Sequence, residues 1–321
     1  MELASPLAAR SAAAAAIVAA ALLTAGCSAP AQSADAGAQA GPAEVLGISI
    51  EVDGAARAAL PSDVTEAGVV KVATDAPYAP FEMAVSEGSD ELTGVDVELG
   101  RAIGAKLGVE FEFAQQGFDG IIPALQAGNY DVAISAMTSS VERMDVLTFV
   151  DYSASGTGIL VPAGNPDGIE SYLDLCGKKV AAQAATSQVD LVNEVWQADC
   201  EAAGAGPIEL SEFPADSDAQ LAITAGKVAA SVLTKPSAGY VAKTTGDAEV
   251  FEVVEDPEAP TGYNATLNGI GVPKADEELA TAIQLALQSL MDDGTYEQIL
   301  AEFGVEGIGI DRATINGAKD Q

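Results

Sequence analysis

The sequence predicts an α/β protein of two lobes, each a mostly parallel sheet flanked by helices. Three observations carry this. Short apolar runs the size of buried strands alternate with stretches of helical periodicity. The alternation comes in two sets, parted by Gly156 and Gly158. After an alanine-rich leader about 250 residues remain, enough for two lobes of ordinary domain size.

In chain order, Arg10 precedes an apolar run from Ser11 to Leu23, too short to span a bilayer and suited to the core of a signal peptide. The run ends in Leu23-Thr24-Ala25-Gly26-Cys27, which resembles the bacterial lipobox. That implies a leader over 1–26, a lipid on Cys27 and a Ser/Ala/Pro/Gly-rich tether over 27–43. A secretory signal with a coincidental cysteine is the alternative, and no basic residue precedes Arg10.

The first set opens with a strand, Val69–Thr74, and a rigid turn through Asp75, Pro77, Tyr78, Pro80 and Phe81. A helix over Val95–Leu107 shows Val95, Leu99, Ile103 and Leu107 on one face and stops at Gly108. Phe111 and Phe113 alternate in a strand. From Phe118 the chain reads as a helix with Ile121, Ile122 and Leu125 on one face, a stop at Gly128 and Asn129, and a strand at Val132–Ile134. Ser139 with Glu142 makes a capping-box pattern, so a helix is expected there. Its free N–H groups and Arg143, beside Thr138, would form a two-pronged hold for a small carboxylate. On spacing alone, Arg143 could equally be ion-paired to a surface acid. A strand at Leu147–Tyr152 follows.

The second set has strands at Gly158–Val161, Val180–Gln183, Ile208–Phe213, Ala229–Leu233 and Val250–Val254. Helices at Thr186–Ala202, Asp216–Thr224 and Pro236–Thr244 lie between them. Gly262–Asn268 reads as a return, Gly269–Val272 as a strand, and Glu277–Met291 and Tyr296–Phe303 as helices. The expected division is 44–157 and 263–308 for lobe one, 158–262 for lobe two, and 309–321 for a tail.

Composition narrows the function. Lys+Arg is 14 against 48 Asp+Glu, a net charge of −34, so nucleic acid and anionic lipid are disfavoured as partners. The acid is spread along the chain and reads as a solvated surface, with attraction of cationic ligands as the other reading. The chain has no histidine, which removes His-based triads and the usual zinc ligand sets. No cofactor and no metal is expected. Cys176 and Cys200 should pair in an oxidising compartment; two free structural thiols are the alternative.

Six motifs occur in order: Thr74-Asp75-x-x-Tyr78-x-Pro80-Phe81-Glu82, Gly94-x-Asp96-Val97-x-Leu99, Asp119-Gly120-x-Ile122-Pro123-x-Leu125, Thr138-x-x-x-Glu142-Arg143, Leu175-x-Gly177-Lys178-x-Val180 and Leu290-x-x-Asp293-Gly294-Thr295. Together, over about Gly68 to Phe303, they resemble the polar-amino-acid class of solute-binding proteins of ABC importers. The resemblance implies the type II periplasmic-binding-protein fold and two hinge crossings. It further implies a monomer on the extracytoplasmic face of the membrane that passes an amino-acid-like ligand to permease subunits. Residue by residue, Tyr78 and Phe118 match the aromatic walls, although each could be plain core. Asp75 matches a site-lining acid, Ala136 a residue that offers its backbone carbonyl as acceptor, Thr138 and Arg143 the carboxylate-holding pair, and Thr186 and Ser187 the loop that closes from lobe two.

Two departures stand out. Ala185 replaces the usual glycine before Thr186. Thr234, followed by Lys235, stands where many members have the aspartate that meets the ligand's ammonium. Other readings of the same resemblance are a dehydratase-like enzyme, with Asp75 or Glu82 as acids, or a sensor module.

Overall fold

The computed structural model describes residues 43–320; the leader, Cys27 and residues 28–42 of the tether lie outside them. An antiparallel pair, β1 (Ala43–Val45) and β2 (Ile48–Ile50), leads into short helices α1 (Gly54–Ala58) and α2 (Ser62–Ala67). The alternating chain then begins with β3 (Val69–Thr74), a small β4–β5 pair (Met83–Ala84, Leu92–Thr93), α3 (Val95–Leu107), β6 (Glu110–Gln115), α4 (Phe118–Gln126) and β7 (Val132–Ala133). A 16-residue strand, β8 (Leu147–Pro162), carries the chain into its second half.

There β9 (Lys179–Gln183) is followed by a helix in three pieces: α5 (Ser187–Asp190), a π-helical stretch Leu191–Trp196, and α6 (Gln197–Ala202). Then come β10 (Glu209–Phe213), α7 (Asp216–Thr224), β11 (Ala230–Thr234), α8 (Lys235–Thr244) and β12 (Phe251–Val253). The return is β13 (Tyr263–Pro273), with α9 (Glu277–Asp292), α10 (Thr295–Glu302) and a short β14 (Thr314–Ile315) on the edge of β8.

The main sheet runs in the order β10-β9-β11-β8-β13-β7-β3-β6. The three strands at each end are mutually parallel, and β8 and β13 cross the middle as an antiparallel ribbon. Each half therefore has its own parallel set with helices on both faces, the two-lobed architecture expected. Four apolar clusters fill the faces. In the first half, Leu99 and Ile103 of α3 meet Ile283 and Leu287 of α9, all fully buried, and Ile121 and Leu125 pack with Met144 and Phe149 on the other face. In the second half, Val192 and Trp196 cover one face and Ala222 and Ile223 the other. Truncating any one of the fully buried aliphatic side chains to alanine costs about 2–5 kcal/mol. Cys176 and Cys200 are joined with Cα atoms 5.6 Å apart, closing a loop worth about 3–4 kcal/mol in the entropic account.

Three expectations are corrected. No helix starts at Ser139: the segment makes only a 3-10 turn, Arg143–Asp145, without a side-chain cap. Ser139 is fully buried and its hydroxyl donates to Asp151 while its N–H donates to the carbonyl of Leu267, so the sheet takes the group a helix would need. The strands expected at Leu147–Tyr152 and Gly158–Val161 are one strand, and so are the return Gly262–Asn268, from Tyr263 onward, and the strand Gly269–Val272. The glycines that suggested breaks serve close approach instead. A Cβ on Gly156 would lie 2.4 Å from the carbonyl carbon of Gly262, so only two glycines let the strands meet there.

Candidate functional site

Strand ends place the site. Asp75 follows β3, Ala136 and Thr138 follow β7, Gln183 ends β9 and Thr234 ends β11. These are the carboxyl ends of parallel strands, where open α/β sheets leave a crevice. The Tyr78–Phe81 turn is held over that crevice by the start of α3. Val95 and Asp96 donate their N–H groups to the carbonyls of Pro80 and Phe81, at 3.0 Å each. Gly94, at φ +127°, makes the approach possible, because a Cβ there would lie 2.2 Å from the Phe81 oxygen.

Around the crevice, four contacts among the described residues bridge the halves. The Tyr78 hydroxyl lies 3.0 Å from Thr234 Oγ1 and accepts the Thr234 N–H at 2.9 Å. Gln183 Nε2 donates to Asp75 Oδ2. Thr138 Oγ1 and Ser187 Oγ are 2.9 Å apart. Arg143 Nη2 donates to the carbonyl of Ala185 at 2.9 Å, and its Nη1 donates to the carbonyl of Thr138 at 3.0 Å. Ala185 sits at φ +61°, a left-handed conformation that suits glycine better than alanine.

The electrostatics are uneven. Arg143 lies 5.5 Å from the Phe118 ring centroid and, among the described residues, has no carboxylate within ion-pair distance. Its guanidinium donates to carbonyls, and desolvation lowers its pKa against the raising effect of the nearby Asp190 and Glu142 charges. That disposes of a surface ion pair as its role. Three acids gather nearby. Burial raises the pKa of Asp75, against the lowering effect of the Gln183 hydrogen bond. Burial and then the Asp96 charge hold Glu82 well above the usual carboxylate range. Asp216, 3% exposed, is pushed up to about 6 by burial. Asp96, also raised to about 6 by burial, accepts the Ala136 N–H at 2.6 Å and the Tyr152 hydroxyl at 2.7 Å, fixing the strand end that carries Ala136. Ala136 itself is at φ +44°.

All nine residues named from the sequence for ligand contact line one cavity: Asp75, Tyr78, Phe118, Ala136, Thr138, Arg143, Thr186, Ser187 and Thr234. Lys235 points away, to Glu255 at 3.0 Å. With the four bridges formed, the space left for a water-sized sphere is about 20 Å³, room for roughly one water. Sequence reasoning missed Ser135, Gln183 and Gln188 on the same walls. Their signal was positional: Gln183 ends a predicted strand and Gln188 follows Ser187 directly.

The profile of the bacterial extracellular solute-binding proteins, family 3, matches residues 70–306. Arginine-binding protein ArgT of Corynebacterium glutamicum is 30% identical over 216 residues, 67% of this chain and 68% of its own. A probable histidine-binding protein of Campylobacter jejuni is 34% identical over 77 residues, and the match spans 24% of this chain and only 30% of that protein's length. Among solved structures, an ancestral arginine-binding protein bound to glutamine is 34% identical, covers 74% of this chain and 98% of its own, and superposes with a TM-score of 0.64. The ancestral amino acid-binding protein AncCDT-1, a precursor of cyclohexadienyl dehydratase, is 32% identical over 75% of this chain and 97% of its own, with a TM-score of 0.61.

Proposed function

Because the chain belongs to the bacterial extracellular solute-binding proteins, family 3, we propose that it captures an amino-acid-like carboxylate between its lobes and delivers it to an ABC importer. One observation carries this reading: a half-buried Arg143 guanidinium that lines the cavity and has no carboxylate within ion-pair distance among the described residues. A planar fork over Phe118, beside the Thr138 hydroxyl, suits a carboxylate held two-pronged. Tyr78 and Phe118 form the walls, the Ala136 carbonyl and Asp75 receive donors, and Thr186 and Ser187 close from the second lobe. A ligand would replace the direct bridges Tyr78–Thr234, Asp75–Gln183 and Thr138–Ser187 with bonds to itself. Relatives named for arginine and histidine, and a neighbour holding glutamine, support the amino-acid class. The leader and Cys27 fit a lipid-anchored protein outside the cytoplasm, working as a monomer with permease subunits.

The test is calorimetry on Arg143→Ala with a ligand found by a thermal-shift panel. Leaving the carboxylate unpaired costs about 2–5 kcal/mol, roughly thirty-fold to a few thousand-fold in Kd. Arg143→Lys restores only part, since lysine lacks the fork. Wild-type affinity in Arg143→Ala would sink the assignment. The dehydratase-like alternative draws on Glu82, a cavity-lining carboxyl whose pKa burial and then the Asp96 charge raise well above the usual range. Mass spectrometry of the ligand after long incubation separates the two: binding leaves it unchanged, an enzyme converts it.

A further inference from the structure

Beyond the cavity at Arg143 lies a second, roomier chamber, about 340 Å³, between the same two lobes. Thr138, Ser187, Gln188 and Thr234 line both spaces. On this side the boundary is a pair of small hydroxyl side chains, Thr138 and Ser187, 2.9 Å apart. A ligand that takes up either hydroxyl opens one space into the other.

We propose that the site takes an α-amino carboxylate whose nitrogen carries a polar, non-anionic substituent, and that this substituent lies in the second chamber. The proposal rests on the carboxylate-binding reading of Arg143. Its first support is Thr234. That residue is 5% exposed, uncharged and already bonded to Tyr78 and Ser237, so it offers an ammonium no counter-charge at the place where the two spaces meet. Asp75 and Glu82 line the first space but not the second, so a cation at this boundary lacks an adjacent counter-charge and is costly, whereas a substituted, amide-like nitrogen asks only for a hydrogen-bond partner. The second support is space, because a chamber of this size holds a substituent of several heavy atoms.

The third support is the chamber's chemistry. Its deep walls are Ser155, Thr157, Gln188 and Asn268, all buried and all neutral donors and acceptors. Its rim carries Glu142, Asp190 and Glu194, all exposed, and no lysine or arginine lines it. Such walls suit hydroxyl, amide or ammonium groups and repel a second carboxylate.

Calorimetry with wild-type protein decides, using L-alanine, L-glutamine and L-arginine against glycyl-L-alanine, glycyl-L-glutamine and glycyl-L-arginine, with N-carboxymethyl-L-alanine as the anionic case. The glycyl forms should bind at least about tenfold tighter than their parents, and the anionic form weaker than glycyl-L-alanine. Val195→Trp adds bulk at the rim from an exposed helix position, so the fold tolerates it. It should weaken the glycyl forms about tenfold or more and leave the free amino acids within about twofold. Tight binding of a free amino acid with no gain from the glycyl group overturns this inference and leaves the carboxylate reading intact. Equal losses for both classes in Val195→Trp overturn it as well. If neither class binds wild-type protein, this inference falls, and the carboxylate reading is then decided by Arg143→Ala on a ligand from the thermal-shift panel.

Discussion

Asp216 holds a carboxyl where its surroundings favour the neutral form. One oxygen accepts from Gln220 Nε2 at 2.7 Å; the other is buried and has no partner among the described residues. Its pKa rises from 3.8 to about 6. Between those values the folded chain keeps a proton that the unfolded chain has released. Stability from this group is therefore full below about 4, is lost as pH rises through about 6, and is level above that. The cost at neutral pH is on the order of 3 kcal/mol. We expect Asp216→Asn, which keeps an acceptor for Gln220, to match wild type near pH 4 and to melt higher at pH 8. Thermal melts across that range check it. A variant less stable at pH 8 would mean that the carboxylate is used in its charged form. The net charge of −34 adds repulsion of the same sign, but it is nearly common to both proteins.

At the scale of elements, the sequence was most legible where periodicity was long. The helices α3 and α7 occupy the residues read from pattern alone, and the parallel strands fall within a residue or two of expectation. Residues 43–67 were silent because β1, β2, α1 and α2 are each six residues or fewer, below the length at which a period can be read. The capping box at Ser139 misled because a buried acid, Asp151, competes for the same hydroxyl, and that contact is invisible along the chain. Gly156 misled in another way: an interruption in one strand is a requirement of the pair. We expect Gly156→Ala to destabilise by about 1–3 kcal/mol, since the clash is with backbone that cannot move aside cheaply. Gly239→Ala, in α8 with nothing within 4 Å, should be neutral or stabilise by up to about 1 kcal/mol. Denaturant melts of both distinguish crowding from general intolerance of substitution.

For the whole molecule, two strands cross between the lobes in the main sheet among the described residues, and the pairing between β13 and β8 shifts register on either side of Thr266–Asn268. Asn264 at φ +49° and Gly262 at φ +93° lie beside those shifts. Motion about this ribbon is the natural way to open a cavity that holds about one water when the bridges are formed. Small-angle scattering should give a smaller radius of gyration with saturating ligand than without; an unchanged radius would argue against a hinge. The nine cavity-lining residues were legible through the family resemblance, and each follows a predicted strand. Their pairing across the cleft was not, since Tyr78 and Thr234 are brought together only by the fold.

The shared ribbon also orders assembly in time. The second lobe is an unbroken stretch of chain between the middle of β8 and the start of β13. The first lobe is split: β7 finds β13 only between Ala133 and Gly271, 271 − 133 = 138 positions apart, and its core lacks Ile283, Leu287 and Leu290 until α9 arrives. If the second lobe forms first, that long excursion is already gathered when the ends of the first lobe meet, which lowers the entropy of closing it. A nascent chain would then complete its middle before its beginning, the reverse of the order in which it was made. Pulse-labelling hydrogen exchange during refolding should show β9 and β11 protected ahead of β3 and β7.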